Sequence, residues 1–161
     1  MQSSAGRILI VDDSPDDVDL LLRTFRQLRV ENPIQVCGGG EAAIDHLMAN
    51  VGSPPSLVLL DLKMPAVDGF QVLQKIKSHP TLRDVVVVVL TTSSDMYDVR
   101  LAYELGANSF LTKPLDLDEF RAMVNAFHQY WIVYNQLAQS RGKWMKPRDG
   151  GGTLDPSDNG R

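Results

Sequence analysis

The chain has 161 residues, of which 43% are hydrophobic and 22% charged, with a net charge of -4. That is the size and composition of one compact globular domain with a tail, and the negative balance gives no support to nucleic-acid binding. A single cysteine, Cys37, excludes a disulfide within the chain. No run approaches the roughly 18 apolar residues of a membrane span, and the first apolar run, Ile8 to Val11, is too short for a signal-peptide core. The expected location is therefore the cytoplasm, away from membranes.

Five short apolar runs follow one another: Ile8 to Val11, Ile34 to Cys37, Leu57 to Leu60, Val85 to Leu90 and Ser109 to Thr112. The third and fourth are nearly continuous Leu and Val, the pattern of strands covered on both faces. Helical spacing fills the gaps. Val18, Leu21, Leu22, Phe25 and Leu28 share one face, as do Phe70, Leu73 and Ile76, and then Leu101, Ala102 and Leu105. Gly38-Gly39-Gly40 lacks the following Gly-Lys-Ser/Thr of a P-loop and reads as a loop into the second helix. Strands alternating with helices imply βαβ units and a parallel sheet, and right-handed crossovers leave few topologies. The expectation is α/β: a doubly wound five-stranded parallel sheet with helices on both faces, spanning residues 7–138. Residues 1–6 would be an N-terminal arm. Residues 139–161, rich in Gly and Pro, would be a flexible tail that leaves no room for a DNA-reading domain.

In such a sheet ligands bind beyond the carboxyl ends of the strands. There the first strand delivers Asp12 and Asp13, the third Asp61, the fourth Thr91 and Thr92, and the fifth Lys113 followed by Pro114. Three carboxylates at close range repel, and a divalent cation relieves them. Oxygen ligands without nearby His or Cys favour Mg2+ or manganese over zinc. A carboxylate beside such an ion can attack phosphorus, with Lys113 as a point charge for the phosphoryl group and a threonine hydroxyl as a hydrogen-bond donor. Asp12-Asp13-Ser14-Pro15 could be only a helix cap, with Asp16, Asp17 and Asp19 favouring the helix N-terminus. A cap explains neither Asp61 nor Lys113 at the ends of other strands. His46, His79 and His128 are too scattered to form a metal site.

The motifs ILIVDD, LVLLDLKMPAVDG, VVVLTTS and NSFLTKP, in that order over about residues 6–128, resemble the receiver domain of response regulators. The resemblance implies the flavodoxin-like strand order 2-1-3-4-5. It implies that Asp12 and Asp13 hold Mg2+, that Asp61 is the phosphoacceptor, and that Lys63 gives a backbone carbonyl to the metal. It makes Lys113 the family's lysine and Thr91, rather than Thr92, its switch hydroxyl, with Phe110 as the switching aromatic that turns into the space Thr91 leaves. A cis Lys113-Pro114 bond is also implied, although the sequence alone favours trans. IKSHPTLRD, VVVVVLTTS and FHQYWIVYNQL are further similar to single-domain regulators serving phytochrome-type histidine kinases. The partner so implied is a histidine kinase, a phytochrome-type photoreceptor. Two other functions compete. An aspartyl-phosphate phosphatase would place a second acid two residues after the nucleophile, where this chain has Lys63. A degenerate receiver used only for binding would lack a carboxylate or the lysine.

The last helical pattern, Leu117 to about Gln139, would be about 35 Å long at 1.5 Å per residue, against about 20 Å for a six-residue strand. It should overhang the sheet and expose Tyr130, Trp131, Ile132, Val133, Tyr134 and Leu137, an unusual apolar patch. Pairing about a two-fold axis is the commonest way to bury one. A homodimer is expected, with Phe127, Tyr130, Trp131 and Tyr134 at its interface. The alternative is that Trp144 and Met145 of the tail fold back over the patch.

Overall fold

The computed structural model describes residues 6–136. Five parallel strands, β1 (Ile8–Val11), β2 (Ile34–Cys37), β3 (Leu57–Leu60), β4 (Val86–Thr91) and β5 (Ser109–Thr112), form one sheet in the order β2-β1-β3-β4-β5. Helices α1 (Pro15–Gln27), α2 (Gly40–Ala49), α3 (Gly69–Ser78), α4 (Met96–Glu104) and α5 (Leu117–Phe127) connect and follow them. Both the fold class and the strand order agree with expectation.

Strand alternation divides the core in two. Leu9, Val11, Val58, Leu60, Val87 and Val89 point to the side of Leu47 (α2), Leu73 and Ile76 (α3) and Ala102 (α4). Their neighbours Ile8, Ile10, Leu57, Leu59, Val88 and Leu90 point to Leu21 and Phe25 (α1) and to Phe120, Val124 and Phe127 (α5). Successive side chains of a strand face opposite sides, so a continuous Val/Leu run supplies both layers at once. That is why β1 and β3 are buried throughout, while the edge strands β2 and β5 are partly exposed. β4 runs one residue further than its apolar run, so Thr91 belongs to the strand and is fully buried.

The helix starts follow local chemistry. Ser14 caps α1 by accepting the Asp17 N–H, with Pro15 at the first turn. Asp68 and Gln71 close a reciprocal capping box on α3.

Three expectations are corrected. Helix α5 does not run straight to residue 139. It ends at Phe127 and continues as a π-helix over His128–Tyr134, after which Asn135 is extended and donates its N–H to Tyr130 O at 2.7 Å. The extra residue in each π turn brings Trp131 and Ile132 back onto the core, where both are partly buried. The overhang is therefore shorter than a straight helix would give. Phe127 is a core residue rather than an interface residue: it is 5% exposed and stacks on Phe25 at 6.1 Å between ring centroids. No cis peptide occurs among the described residues, so the Lys113-Pro114 bond is trans, the isomer that X-Pro bonds favour by about 0.5–1 kcal/mol. Leu137, Trp144, Met145, the tail and the arm before Gly6 lie outside the described residues.

Candidate functional site

Each strand end fixes its polar residue through the sheet's own hydrogen bonding. The Asp12 N–H donates to Cys37 O at 3.2 Å, the Asp61 N–H to Val11 O at 2.9 Å, and the Lys113 N–H to Thr91 O at 2.7 Å. The parallel ladder thus continues past the strands and sets Asp12 beside Asp61, with Lys113 on the far side of β4 at the same edge of the sheet.

Carboxylate oxygens of Asp12, Asp13 and Asp61 all lie within 4.8 Å of one another, the single group of possible metal ligands among the described residues. Asp12 and Asp61 are buried and Asp13 is exposed, so the cluster opens to solvent on one side. Lys113 is buried against it, with Nζ 2.6 Å from Asp12, 2.9 Å from Asp17 and 3.8 Å from Asp61. The second oxygen of Asp12 accepts the Ser14 N–H at 2.9 Å. Asp12 is thus doubly engaged, whereas Asp61 has a long backbone contact, from the Lys63 N–H at 3.5 Å, with the Thr91 hydroxyl and Lys113 beside it.

The electrostatics follow. Burial pushes the Asp61 carboxyl above its ordinary range and the Asp12 charge adds to this; Lys113, the Thr91 hydroxyl and the Lys63 N–H pull the other way and lose. For Lys113, burial alone would lower the value, but the bonds to Asp12 and Asp17 and the nearby Asp61 charge outweigh it and hold the ammonium charged.

Gly69, the first residue of α3, packs directly on the loop after β3. A Cβ there would stand 2.1 Å from the Asp61 carbonyl oxygen and 2.7 Å from Leu62 Cα. Only glycine lets the helix approach so closely.

Five of the residues singled out at the strand ends come together, Asp12, Asp13, Asp61, Thr91 and Lys113, while Thr92 is exposed. Thr91 sits fully buried with its Oγ1 3.5 Å from the Ser93 N–H. Phe110 is half-buried against the core layer of α2, α3 and α4. The Lys63 side chain turns away to α4, where its Nζ meets Asp98 at 2.8 Å. Sequence reading missed three contributors. Asp17, taken as a helix-dipole acid, is a partner of Lys113. Asp98 gave no local signal, and Ser93 stood only as the last residue of the VVVLTTS motif. At the other end of the molecule, Tyr130 and Tyr134 are 58% and 75% exposed, and Trp131 stands edge-on to Tyr130 at 4.8 Å. A groove beside them is lined by Ser109, Leu111, Met123, Tyr130 and Trp131.

The donor set fits a hard divalent cation: three carboxylates, no imidazole and no thiolate. No helix among the described residues is long and apolar enough to cross a membrane.

Comparison with known proteins agrees with this reading. The family model described as "Response regulator receiver domain" matches residues 8–125. The chain is 40% identical over 132 residues to the probable methanogenesis regulatory protein FilR2 of Methanothrix harundinacea, covering 80% of this chain and 85% of that one. It is 37% identical over 129 residues to response regulator Rcp1 of Synechocystis, covering 78% and 88%. Among solved structures, the Mn(2+)-bound form of Rcp1 matches with a TM-score of 0.78 at 34% identity, covering 83% of this chain and 99% of that one. The phosphorylated cyanobacterial phytochrome response regulator RcpA matches with a TM-score of 0.77 at 33% identity, covering 82% and 97%. With its motifs, its sheet order and its acidic cluster in agreement, the chain belongs to the response regulator receiver domain family.

Proposed function

We propose that this receiver is a phosphorylation switch that takes a phosphoryl group from a partner histidine kinase onto Asp61 and signals through protein contacts. It works in the cytoplasm and is not a turnover enzyme. The observation that carries this is the geometry around Asp61: a buried carboxylate with one weak backbone contact, facing two further carboxylates and 3.8 Å from Lys113.

An Asp61 oxygen attacks the phosphorus of phosphohistidine, the P–N bond breaks, and the histidine nitrogen keeps the electron pair and takes up a proton. Lys113 neutralises charge on the transferring group, and the Thr91 hydroxyl donates to it afterwards. Asp12, Asp13, Asp61 and the Lys63 carbonyl would hold Mg2+, which when bound supplies positive charge to the phosphoryl oxygens. Attached phosphate brings roughly -1.5 to -2 charges. Thr91 then moves toward it and Phe110 turns into the vacated space, so that α4, β5 and α5 present the changed surface. The phosphatase alternative is disfavoured because Lys63, where its general acid would stand, is engaged by Asp98. The degenerate-receiver alternative is disfavoured because every polar residue it would lack is in place.

The kinase we propose is a phytochrome-type photoreceptor. Support comes from RcpA, a cyanobacterial phytochrome response regulator, and from the bacteriophytochrome response regulator AtBRR, matched at 36% identity with a TM-score of 0.63.

Incubation with acetyl phosphate and Mg2+ should add one phosphoryl mass to the chain, and EDTA should prevent it. Equal labelling with and without the metal would contradict the reading.

We also propose a homodimer built on the C-terminal end of α5 and the π-helix, with Tyr130, Trp131 and Tyr134 at its centre. The exposed rings of Tyr130 and Tyr134 beside an apolar groove support it. Because Trp131 also packs on the core, the clean variant is Tyr130→Ala with Tyr134→Ala. Sedimentation at micromolar concentration should show a dimer that this pair of changes dissociates. A monomeric parent, or a dimer indifferent to the changes, would contradict it.

A further inference from the structure

A second polar connection leaves the phosphoacceptor loop on the side away from Lys113. Lys63, two residues after Asp61, puts its Nζ 2.8 Å from Asp98 Oδ2 in α4. The same oxygen accepts the Ser93 Oγ–H at 2.6 Å. Ser93 in turn donates its N–H to the Thr91 hydroxyl at 3.5 Å. Asp98 is 6% exposed, one of six buried polar or charged residues among those described. One carboxylate therefore joins the loop after β3, the loop after β4 and the first turn of α4.

A buried carboxylate is strongly bound to its partners, because losing them leaves the charge desolvated and unpaired. Lys63 and Ser93 both favour its ionised form and hold its pKa below the usual carboxylate range. The loop bearing Thr91 is thus anchored to α4 and to the loop after β3. Moving Thr91 toward a phosphoryl group must draw on the Ser93 N–H contact and on the Ser93–Asp98 bond behind it.

We propose that Asp98 is a positioning residue that restrains the switch: by holding Lys63 and Ser93 together it stabilises the unphosphorylated arrangement of the Thr91 loop and α4. The restraint rests on the phosphoswitch reading above. It sets how much of the free energy of phosphoryl binding is spent on rearranging α4. Release of Asp98 also frees the Lys63 ammonium, whose charge then favours an anionic group on Asp61. Both effects have the same sign.

The test uses beryllofluoride, a stable stand-in for an aspartyl phosphoryl group, titrated in the presence of magnesium and followed by amide NMR. The parent should bind it, and Asp98→Asn should bind it at least about fivefold more tightly, at the low end of typical couplings between sites. Ser93→Ala should shift affinity in the same direction. Adding Lys63→Gln to Asp98→Asn should give back part of the gain, since the ammonium that Asp98 releases is then absent. Magnesium affinity without beryllofluoride should be the same in Asp98→Asn and the parent. Unchanged or weaker beryllofluoride binding by Asp98→Asn would overturn the restraint while leaving the phosphoswitch intact. So would a parallel change in magnesium affinity, which would mark a merely structural role. A parent that binds no beryllofluoride would overturn both.

Discussion

Replacing Lys113 by Met should destabilise the metal-free protein by about 3 kcal/mol or more, the usual cost of removing one partner from a buried charge cluster, and magnesium should return most of that loss. Lys113 is the cation facing Asp12, Asp17 and Asp61 at 2.6, 2.9 and 3.8 Å. Without it, two buried carboxylates and two more exposed ones are left facing each other. A divalent ion among Asp12, Asp13 and Asp61 replaces part of the missing charge, so the variant should gain more stability from magnesium than the parent does. The pH dependence has a definite sign. The folded-state pKa of Lys113 is raised above 10.5, so its contribution is fully present at neutral pH and is lost only as pH climbs through that raised value. The deficit of the variant should therefore be constant from pH 6 to 9 on the part of this group. Urea unfolding with and without magnesium measures it. A deficit below about 1 kcal/mol, or one that magnesium does not reduce, would mean that the carboxylates are not held together by this lysine.

Gly69→Ala should cost about 1–3 kcal/mol as an overpacked contact and slow phosphorylation on the order of 100-fold, the cost of displacing a reacting group by about 1 Å. The added methyl would meet the Asp61 carbonyl oxygen at 2.1 Å and Leu62 Cα at 2.7 Å. Both are backbone atoms, so relief requires α3 or the phosphoacceptor loop itself to shift. Gly38→Ala is the control: a Cβ there has no neighbour within 4 Å, and the change should be near neutral. The rate of acetyl phosphate labelling, together with thermal unfolding, reads both quantities. Equal labelling of Gly69→Ala and the parent would show that the loop tolerates the displacement.

The strands and the site were legible in the sequence for one physical reason. A buried parallel strand must be apolar on both faces, so Leu57 to Leu60 announces itself, and the first polar residue after it stands where the sheet leaves the core. Asp12, Asp61 and Lys113 were each found as such a residue. Thr91 is the instructive case, because its fully buried place inside β4 carries no apolar signature: its position after the Val run pointed to Thr91 and Thr92 alike, and the family resemblance chose between them. What stayed hidden was made by packing between distant segments. Lys113 reaches Asp17 across 96 positions, and Asp98 is joined to Lys63 from another loop. No local pattern distinguishes Asp98 from an ordinary acid in a helix's first turn. The π-helix was equally invisible: Phe127, Trp131 and Tyr134 fit an α-helical stripe, and the wider turn exists because Trp131 and Ile132 can rejoin the core that Phe127 enters.

The central claim, that Asp61 alone receives the phosphoryl group, is tested most directly by trapping the modified side chain. Borohydride reduces an aspartyl phosphate to homoserine, and peptide sequencing by mass then locates it. After treatment with acetyl phosphate and magnesium, homoserine should stand in place of Asp61 and nowhere else, and Asp61→Asn should yield none. Homoserine at Asp12 or Asp13, or its absence from a chain that has gained phosphoryl mass, would contradict the assignment.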